Sequence, residues 1–417
     1  ISTLISFAKI WLIEIFCYFY NSLTKSLTSM RQSTLKAAAL LLLCGTVFTN
    51  TIAQTTTETI NVVTTAVPFL RISPDARAGG MGDVGIATSP DANSSFWNLA
   101  KTPFSKEKSA IGVTYTPWLK GLDINDVYLA AYYKLSEEEA VSASVRYFSL
   151  GNIQFTDFAG NDLNSFRPRE FSFDLGYSRK VGAKLSLGVA LRYVNSSLAN
   201  GSPNGTVYKP GNAFAGDISL FHYGQNEQGN GWNWGVVLSN LGSKISYTNE
   251  ANNRDYIPAN LGLGVTYTKV FDETNKITFG LDINKLMVPT PPTPVDPNTP
   301  NAPTKDSANL AAYRSQGVLS SWFKSFGDGG SFGNELKEFQ ASVGAEYSYN
   351  DQFALRAGYF YEDRTKGNRK FFTVGVGLKY NVIGLNFSYL IPSGNGVTRN
   401  PLSNTLRFGL IFDIAGK

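Results

Sequence analysis

The chain has 417 residues, 37 of them basic and 32 acidic, for a net charge of +5. Four of the bases and one of the acids lie within residues 1–53, so the remainder carries only +2, which is no electrostatic footprint for nucleic acid. Aromatic residues make up 13% and charged residues only 17%, against a usual charged share of ~25%, a balance that suits a protein whose outer face meets lipid.

The chain order begins with an address. From Met30 the sequence has a basic start at Arg31 and Lys36, an apolar core from Ala37 to Phe48, and a small-x-small site at Thr51–Ile52–Ala53 before Gln54. This pattern predicts a cleavable secretory signal over 30–53. Leu43 before Cys44 argues against a lipoprotein signal, where a small residue is expected. Residues 1–29 start with Ile1 and place Lys9 and Glu14 in an apolar stretch. They are expected to be a non-native extension, with Met30 as the start. Both cysteines, Cys17 and Cys44, precede residue 54, so a chain cut there has no thiol chemistry.

Residues 54–104 read as a leader and a hatch or plug. The stretch 54–66 is rich in Thr. The stretch 67–104 is rich in Gly, Ala and Ser, holds four prolines and shows little alternation. It fits tight turns better than a long strand. Gly80, Gly82 and Gly85 spell G-x-G-x-x-G, but a dinucleotide loop needs a buried strand before it and a helix after it. Pro74 precedes these glycines and Pro90 follows them, so turn glycines within a plug are the better reading.

From about residue 107 the chain alternates apolar and small or polar residues with period two, which puts one set on each face of a sheet. Phe353, Leu355, Ala357, Tyr359 and Tyr361 are one such set, and Phe372, Val374, Val376 and Leu378 another. Strands are predicted at 107–117, 125–134, 140–150, 169–180, 184–195, 212–223, 231–240, 258–270, 275–285, 337–348, 352–363, 369–380, 383–391 and 402–413. They run about ten residues, the length that crosses a bilayer at a tilt. Short and long connections alternate between them, as in outer-membrane barrels with short periplasmic turns and longer outer loops. The fold class is therefore all-β: a transmembrane antiparallel barrel of about 14 strands over 105–417. An even strand count places both ends of the chain in the periplasm, from which the plug would enter the lumen.

The 286–336 connection stands apart. It is Pro-rich at first, then places Leu319, Trp322, Phe323 and Phe326 at helical spacing. A short amphipathic helix there is either a partner surface or a seal folded on the rim. Trp118, Phe155 and Phe158 are further loop aromatics that could contact a partner. Asp174, Arg356, Lys379 and Arg407 fall on inward strand positions and are expected to face the lumen, which fits a plugged barrel better than a greasy conduit. Catalytic, metal and cofactor sites find no support. His222 is the lone histidine and is expected near a periplasmic strand end, whereas an outer-membrane protease or lipase would want a His/Ser/Asp constellation near the extracellular rim. No Cys/His cluster fits zinc, and 157–162 lacks the acidic spacing of an EF-hand. Glu362 and Asp363 read as a solvated rim.

Two blocks carry more than generic barrel pattern. Asp75–Ala100, with Gly79, Gly80, Gly82, Asp83, Asp91 and Asn98, resembles the N-terminal hatch of FadL-type barrels, although Asn98–Leu99–Ala100 stands where those often read Asn-Pro-Ala. The stretch 335–392, together with 69–85, resembles the PorV (LptO) family, the FadL-related outer-membrane component of the type IX secretion system of Bacteroidota. The resemblance implies a non-enzymatic outer-membrane barrel of 14 strands with neither metal nor cofactor. It implies as partners a SprA/Sov-type translocon, cargo proteins with C-terminal sorting domains, and a PorU-type attachment complex at the cell surface. Outer-membrane lipid is the surrounding partner. The alternative is a FadL-like transporter of small hydrophobic compounds, and a general porin comes third.

Overall fold

The structure, a computed structural model, describes residues 60–118, 122–156, 160–198, 207–249, 254–392 and 405–414. The signal sequence and the first leader residues expected over 1–59 lie outside the described residues. Fourteen strands close into an antiparallel barrel, each paired with its neighbours in chain order. They are β1 (Ser109–Pro117), β2 (Ile124–Lys134), β3 (Glu139–Leu150), β6 (Arg169–Lys180), β7 (Leu185–Ser197), β8 (Gly211–Gln225), β9 (Gly231–Gly242), β10 (Asn260–Val270), β11 (Asn275–Leu286), β12 (Phe339–Tyr349), β13 (Phe353–Tyr361), β14 (Lys370–Tyr380), β15 (Ile383–Pro392) and β16 (Leu406–Ile414). Closure is made by β1 on β16, from Ser109 opposite Ile414 to Tyr115 opposite Phe408. Two further strands, β4 (Ile153–Thr156) and β5 (Asp162–Phe166), pair only with each other in the β3–β6 connection.

Period-two patterning explains why these segments became strands. On β14, Phe372, Val374, Val376 and Leu378 are exposed toward lipid, while Phe371 and Thr373 are buried inside. Most predicted strands agree with the observed ones to within two or three residues at each end. The last one is displaced most, from 402–413 to Leu406–Ile414. The hairpin of β4 and β5 and the helix Ala302–Ser315 were not predicted. That helix begins with Pro303 in its first turn, where a missing N–H costs nothing, and continues in good helix formers that a Pro-rich reading of the loop overlooked.

The N-terminal segment enters from the opposite end to the one expected. Asn61 N–H donates to Thr365 O (3.2 Å) and Ala66 N–H to Tyr256 O (2.9 Å), while Asn61 Nδ2 reaches Pro291 O (3.0 Å). All three acceptors lie in the long connections, at the outer mouth. Val67, Phe69 and Leu70 then join Phe148, Val194, Ile245 and Ile257 in an apolar cluster inside the mouth. Farther on, Phe104 packs on Phe221 and Tyr223 near the short turns, and β1 begins there. The strand count correctly fixes the end at which β1 starts. It says nothing of residues 60–104, which run down the whole lumen as a strap and hatch.

The hatch fits because the wall gives way where it passes. A Cβ on Gly344 or Gly358 would overlap the Met81 backbone, and Gly82 (φ 71°) would place a Cβ 2.6 Å from Tyr359 N. Two outcomes follow. In a chain cut before residue 54, Val62→Cys is the sole thiol, and a membrane-impermeant maleimide should label it on intact cells; no labelling would place the strap elsewhere. Gly358→Val should lower the thermal midpoint by an amount worth about 1–3 kcal/mol of overpacking. Gly384→Ala, whose added Cβ meets nothing nearer than 3.7 Å, should leave that midpoint in place.

Candidate functional site

The lumen is held by an ionic junction between hatch and wall. Arg77, just after the Asp75 cap of a four-residue helix, donates through Nε (2.9 Å) and Nη2 (2.8 Å) to the Glu346 carboxylate on β12. Its Nη1 also reaches Ser89 O and Asp91 Oδ2, each at 3.1 Å. Arg356, opposite Glu346 in the ladder, adds a 2.6 Å bond from Nε and donates from Nη1 to Asn386 (2.8 Å). One carboxylate thus serves two guanidiniums, one from each body. A bidentate arginine fork fixes orientation as well as energy.

The nominated hatch residues all pack inside the barrel. Asp83 accepts from Arg407 Nη1 at 3.2 Å, and a Cβ on Gly79 would collide with the same guanidinium. A Cβ on Gly80 would lie 3.0 Å from Gly375 Cα. Gly82 N–H donates to Thr373 Oγ1 (2.8 Å). Asp91 Oδ1 accepts from Asn93 N–H (2.9 Å). Asn98 caps Ala100 N–H (3.1 Å) and donates to Ile86 O (3.2 Å) and Leu220 O (3.1 Å). The G-x-G-x-x-G stretch presents its N–H groups to the protein itself, since Gly85 and Ile86 both donate to Asp282 Oδ2, at 2.7 and 2.9 Å. A nucleotide phosphate would have to displace that carboxylate.

The nominated wall charges divide into two groups. Asp174, Arg356 and Arg407 are buried, and Asp174 pairs with Arg192, which also holds Asp217 (3.0 Å) and Asn240. Lys379 has an inward register position but lies at the periplasmic rim, half-exposed, and bonds Asp413 at 2.6 Å. Glu362 needs correction. It is buried, not solvated, and accepts from Arg369 Nε and Nη2 (2.7 and 2.9 Å) and from Gln340 (2.8 Å). The strand leaves the membrane there, but the strap covers it. Sequence reasoning missed Arg77, Glu346, Asp282 and Arg146. The last three occupy inward strand positions and were open to the same alternation argument. Arg146 bonds Asp126 (2.5 Å) and lies over the Phe69 and Phe96 rings at 5.6 and 5.7 Å, a cation–π arrangement that ties wall to strap and hatch.

The outer face carries the loop aromatics. The helix Val318–Lys324 covers the predicted amphipathic stretch. Leu319 is 66% and Phe323 79% exposed, Phe326 is exposed, and Trp322 is half-buried. Phe332 and Leu336, not nominated, are exposed on the same connection. The connection is anchored to the β9–β10 loop, where Lys244 Nζ donates to Arg314 O (2.6 Å) and Gln316 O (2.7 Å), and Tyr256 packs on Tyr313. Trp118 needs correction. Its ring packs on Phe148 in the mouth cluster, 5.1 Å between centroids, because an indole at the inner edge of the mouth gains more from that cluster than from water. Phe155 falls on β4, and Phe158 lies outside the described residues. His222 stacks on Trp234 near the short-turn end.

One acidic group occurs among the described residues: Asp328, Glu335 and Glu338 bring carboxylate oxygens within 4.8 Å of one another. Lys285 pairs with Glu338 and lies 3.6 Å from Glu335, and Lys366 bonds Glu338 at 2.8 Å. Two ammonium groups already supply the positive charge there.

A family model described as type IX secretion system protein PorV matches residues 54–293. No curated protein sequence matches the chain. Among solved structures, the Ralstonia pickettii toluene transporter TbuX is similar at 12% identity and a TM-score of 0.49, over 83% of this chain and 98% of that one. The Pseudomonas putida toluene transporter TodX is similar at 13% identity and 0.47, over 85% and 98%. A Pseudomonas aeruginosa FadL homologue is similar at 11% identity and 0.42, over 85% and 99%. The matched region takes in the strap, the hatch and the barrel from β1 through β11, more than half of the chain, and the chain belongs to the PorV family of type IX secretion system proteins.

Proposed function

We propose that this outer-membrane barrel is a non-enzymatic adaptor of the type IX secretion machinery. It receives cargo proteins through their C-terminal sorting domains from a SprA/Sov-type translocon and passes them to a PorU-type attachment complex at the cell surface. The observation that carries this reading is the exposed apolar surface of the β11–β12 connection. Leu319, Phe323, Phe326, Phe332 and Leu336 stand exposed on a loop that is itself anchored by Lys244 and Tyr256. Rigidly presented aromatic and aliphatic side chains are what a protein interface uses as anchors. Trp118 drops out of this surface, and the β11–β12 connection becomes its centre.

The competing reading is a FadL-like transporter of small hydrophobic compounds. It needs an apolar path past a movable hatch. Arg77, Glu346 and Arg356 tie the hatch to the wall in this barrel, and Asp282, Thr373 and Thr266 hold its backbone. In the space left in the outer half of the lumen, four arginines and several amides interrupt the apolar side chains of the lining. Both features favour the adaptor.

In a strain lacking the native gene, the double variant Leu319→Ser/Phe323→Ser should assemble with normal heat-modifiable mobility. Proteins with C-terminal sorting domains should then build up in the periplasm several-fold. Normal surface delivery by that variant would remove the β11–β12 surface as the docking site. Glu346→Ala should leave buried Arg356 without a carboxylate and Arg77 with Asp91 alone, and cost about 3–5 kcal/mol. Its signature is a lower thermal midpoint together with faster entry of small hydrophilic solutes into proteoliposomes. Unchanged permeability would mean that the junction does not hold the hatch.

A further inference from the structure

Between the strap, the hatch and the outer half of the wall lies a cavity of about 110 Å³. Four arginines line it from four separate parts of the chain: Arg71 of the strap, Arg192 of β7, Arg369 before β14 and Arg407 of β16. Asp83 is the one carboxylate among its lining residues.

The four cations are unequally matched. Arg192 is satisfied by Asp174, Asp217 and Asn240, and Arg369 by Glu362. Among the described residues the Arg71 guanidinium makes no hydrogen bond and reaches Glu362 only at 3.8 Å. Burial and the neighbouring Arg369 guanidinium both disfavour its charge, and Glu362 offsets them only in part. Arg407 is buried and donates once, to Asp83, while its Nε has no partner. A guanidinium carries five N–H donors, and a buried donor without an acceptor costs about 1–3 kcal/mol. Water could accept from these groups but would bring no countercharge. Four carboxylates, Asp83, Asp174, Asp217 and Glu362, face the four guanidiniums, but two of them go to Arg192 while Arg71 and Arg369 share Glu362. The Arg71 and Arg407 side of the cavity therefore has surplus donors and the weaker charge match.

We propose that this cavity binds a small oxyanion, of phosphate or carboxylate type, between Arg71 and Arg407. Guanidiniums suit either group, because their paired N–H bonds match two oxygens at once. The guanidiniums are the only cations of the lining, and Leu70, Ile86, Phe360 and Phe371 are among its apolar side chains. Half-buried Arg71 sits on the mouth side, so the anion enters from outside the cell. Occupancy would join strap, hatch and β16 through one ligand.

The test uses the purified barrel in detergent, titrated with sodium phosphate or sodium acetate against sodium chloride at constant ionic strength. Thermal melting and calorimetry are the readouts. A saturable rise in the midpoint with at least one of the two oxyanions is expected. Stronger binding of phosphate assigns a tetrahedral ligand, and stronger binding of acetate a carboxylate. Arg71→Gln should weaken that binding at least tenfold without lowering the anion-free midpoint, since its guanidinium is held only by Glu362 at 3.8 Å. Arg407→Gln should weaken that binding as well, with a lower anion-free midpoint because Asp83 loses its partner. Lys269→Gln, an exposed site on β10 near the periplasmic end, should bind as the parent does. No saturable response to either oxyanion, or full binding by Arg71→Gln, overturns the proposal.

Discussion

The constraint on which this structure depends is the polar backbone of the hatch. Residues 67–104 fill the lumen with short 3₁₀ and four-residue α-helical turns and no strand of their own, so most of their N–H and C=O groups cannot be satisfied by regular secondary structure. Buried backbone groups without partners are costly. The wall supplies the missing partners one by one. Asp282 accepts from two successive N–H groups, Thr373 from one, and Thr266 donates to Ala87 O at 2.8 Å. Within the hatch, Lys101 Nζ donates to Gly85 O at 2.7 Å. The inward face of the barrel is thus a lining matched to one particular segment, and its charges follow from that segment as much as from the need to avoid lipid.

A lumen matched in this way is poorly suited to be a passage. Moving the hatch would strip the Glu346 carboxylate of a bidentate arginine and leave several backbone groups without acceptors at the same moment. The strap extends the lock upward. It joins three outer loops through Asn61 and Ala66 and adds an apolar cluster under the mouth. The β11–β12 connection stands outside this lock, on the same loops that the strap ties together. Membership of a secretion family agrees with this division between a rigid, filled interior and a presented surface.

Parts of the site were legible in the sequence for a simple reason. Alternation identifies which side of a strand a residue faces, so Asp174, Arg356 and Arg407 could be assigned to the interior without knowing any partner. Depth along the strand is less legible, and Lys379 shows it: the same register places it at the rim beside Asp413. Partnership is not legible at all across such distances. Arg77 and Glu346 are 269 residues apart in sequence, and nothing local to either announces the other. Glu362 and Trp118 were misjudged because both stand at the mouth, where exposure depends on whether another segment covers them. The strap does so, and its Thr-rich and Pro-containing sequence has no periodicity to reveal where it lies.

The sequence by itself determined the barrel, its strands, its faces and the asymmetry of its loops. Those properties rest on period-two patterning and turn length, which are local, and the family resemblance drew on the strands of 335–392 and on the glycine-rich hatch of 69–100. Tertiary structure alone decided the direction in which the N-terminal segment runs through the lumen. It also decided which inward charge meets which hatch group, and which arginines are left with unmet donors. These outcomes depend on a segment packing against a wall formed much later in the chain, and the geometry of that contact is written in no single stretch of either.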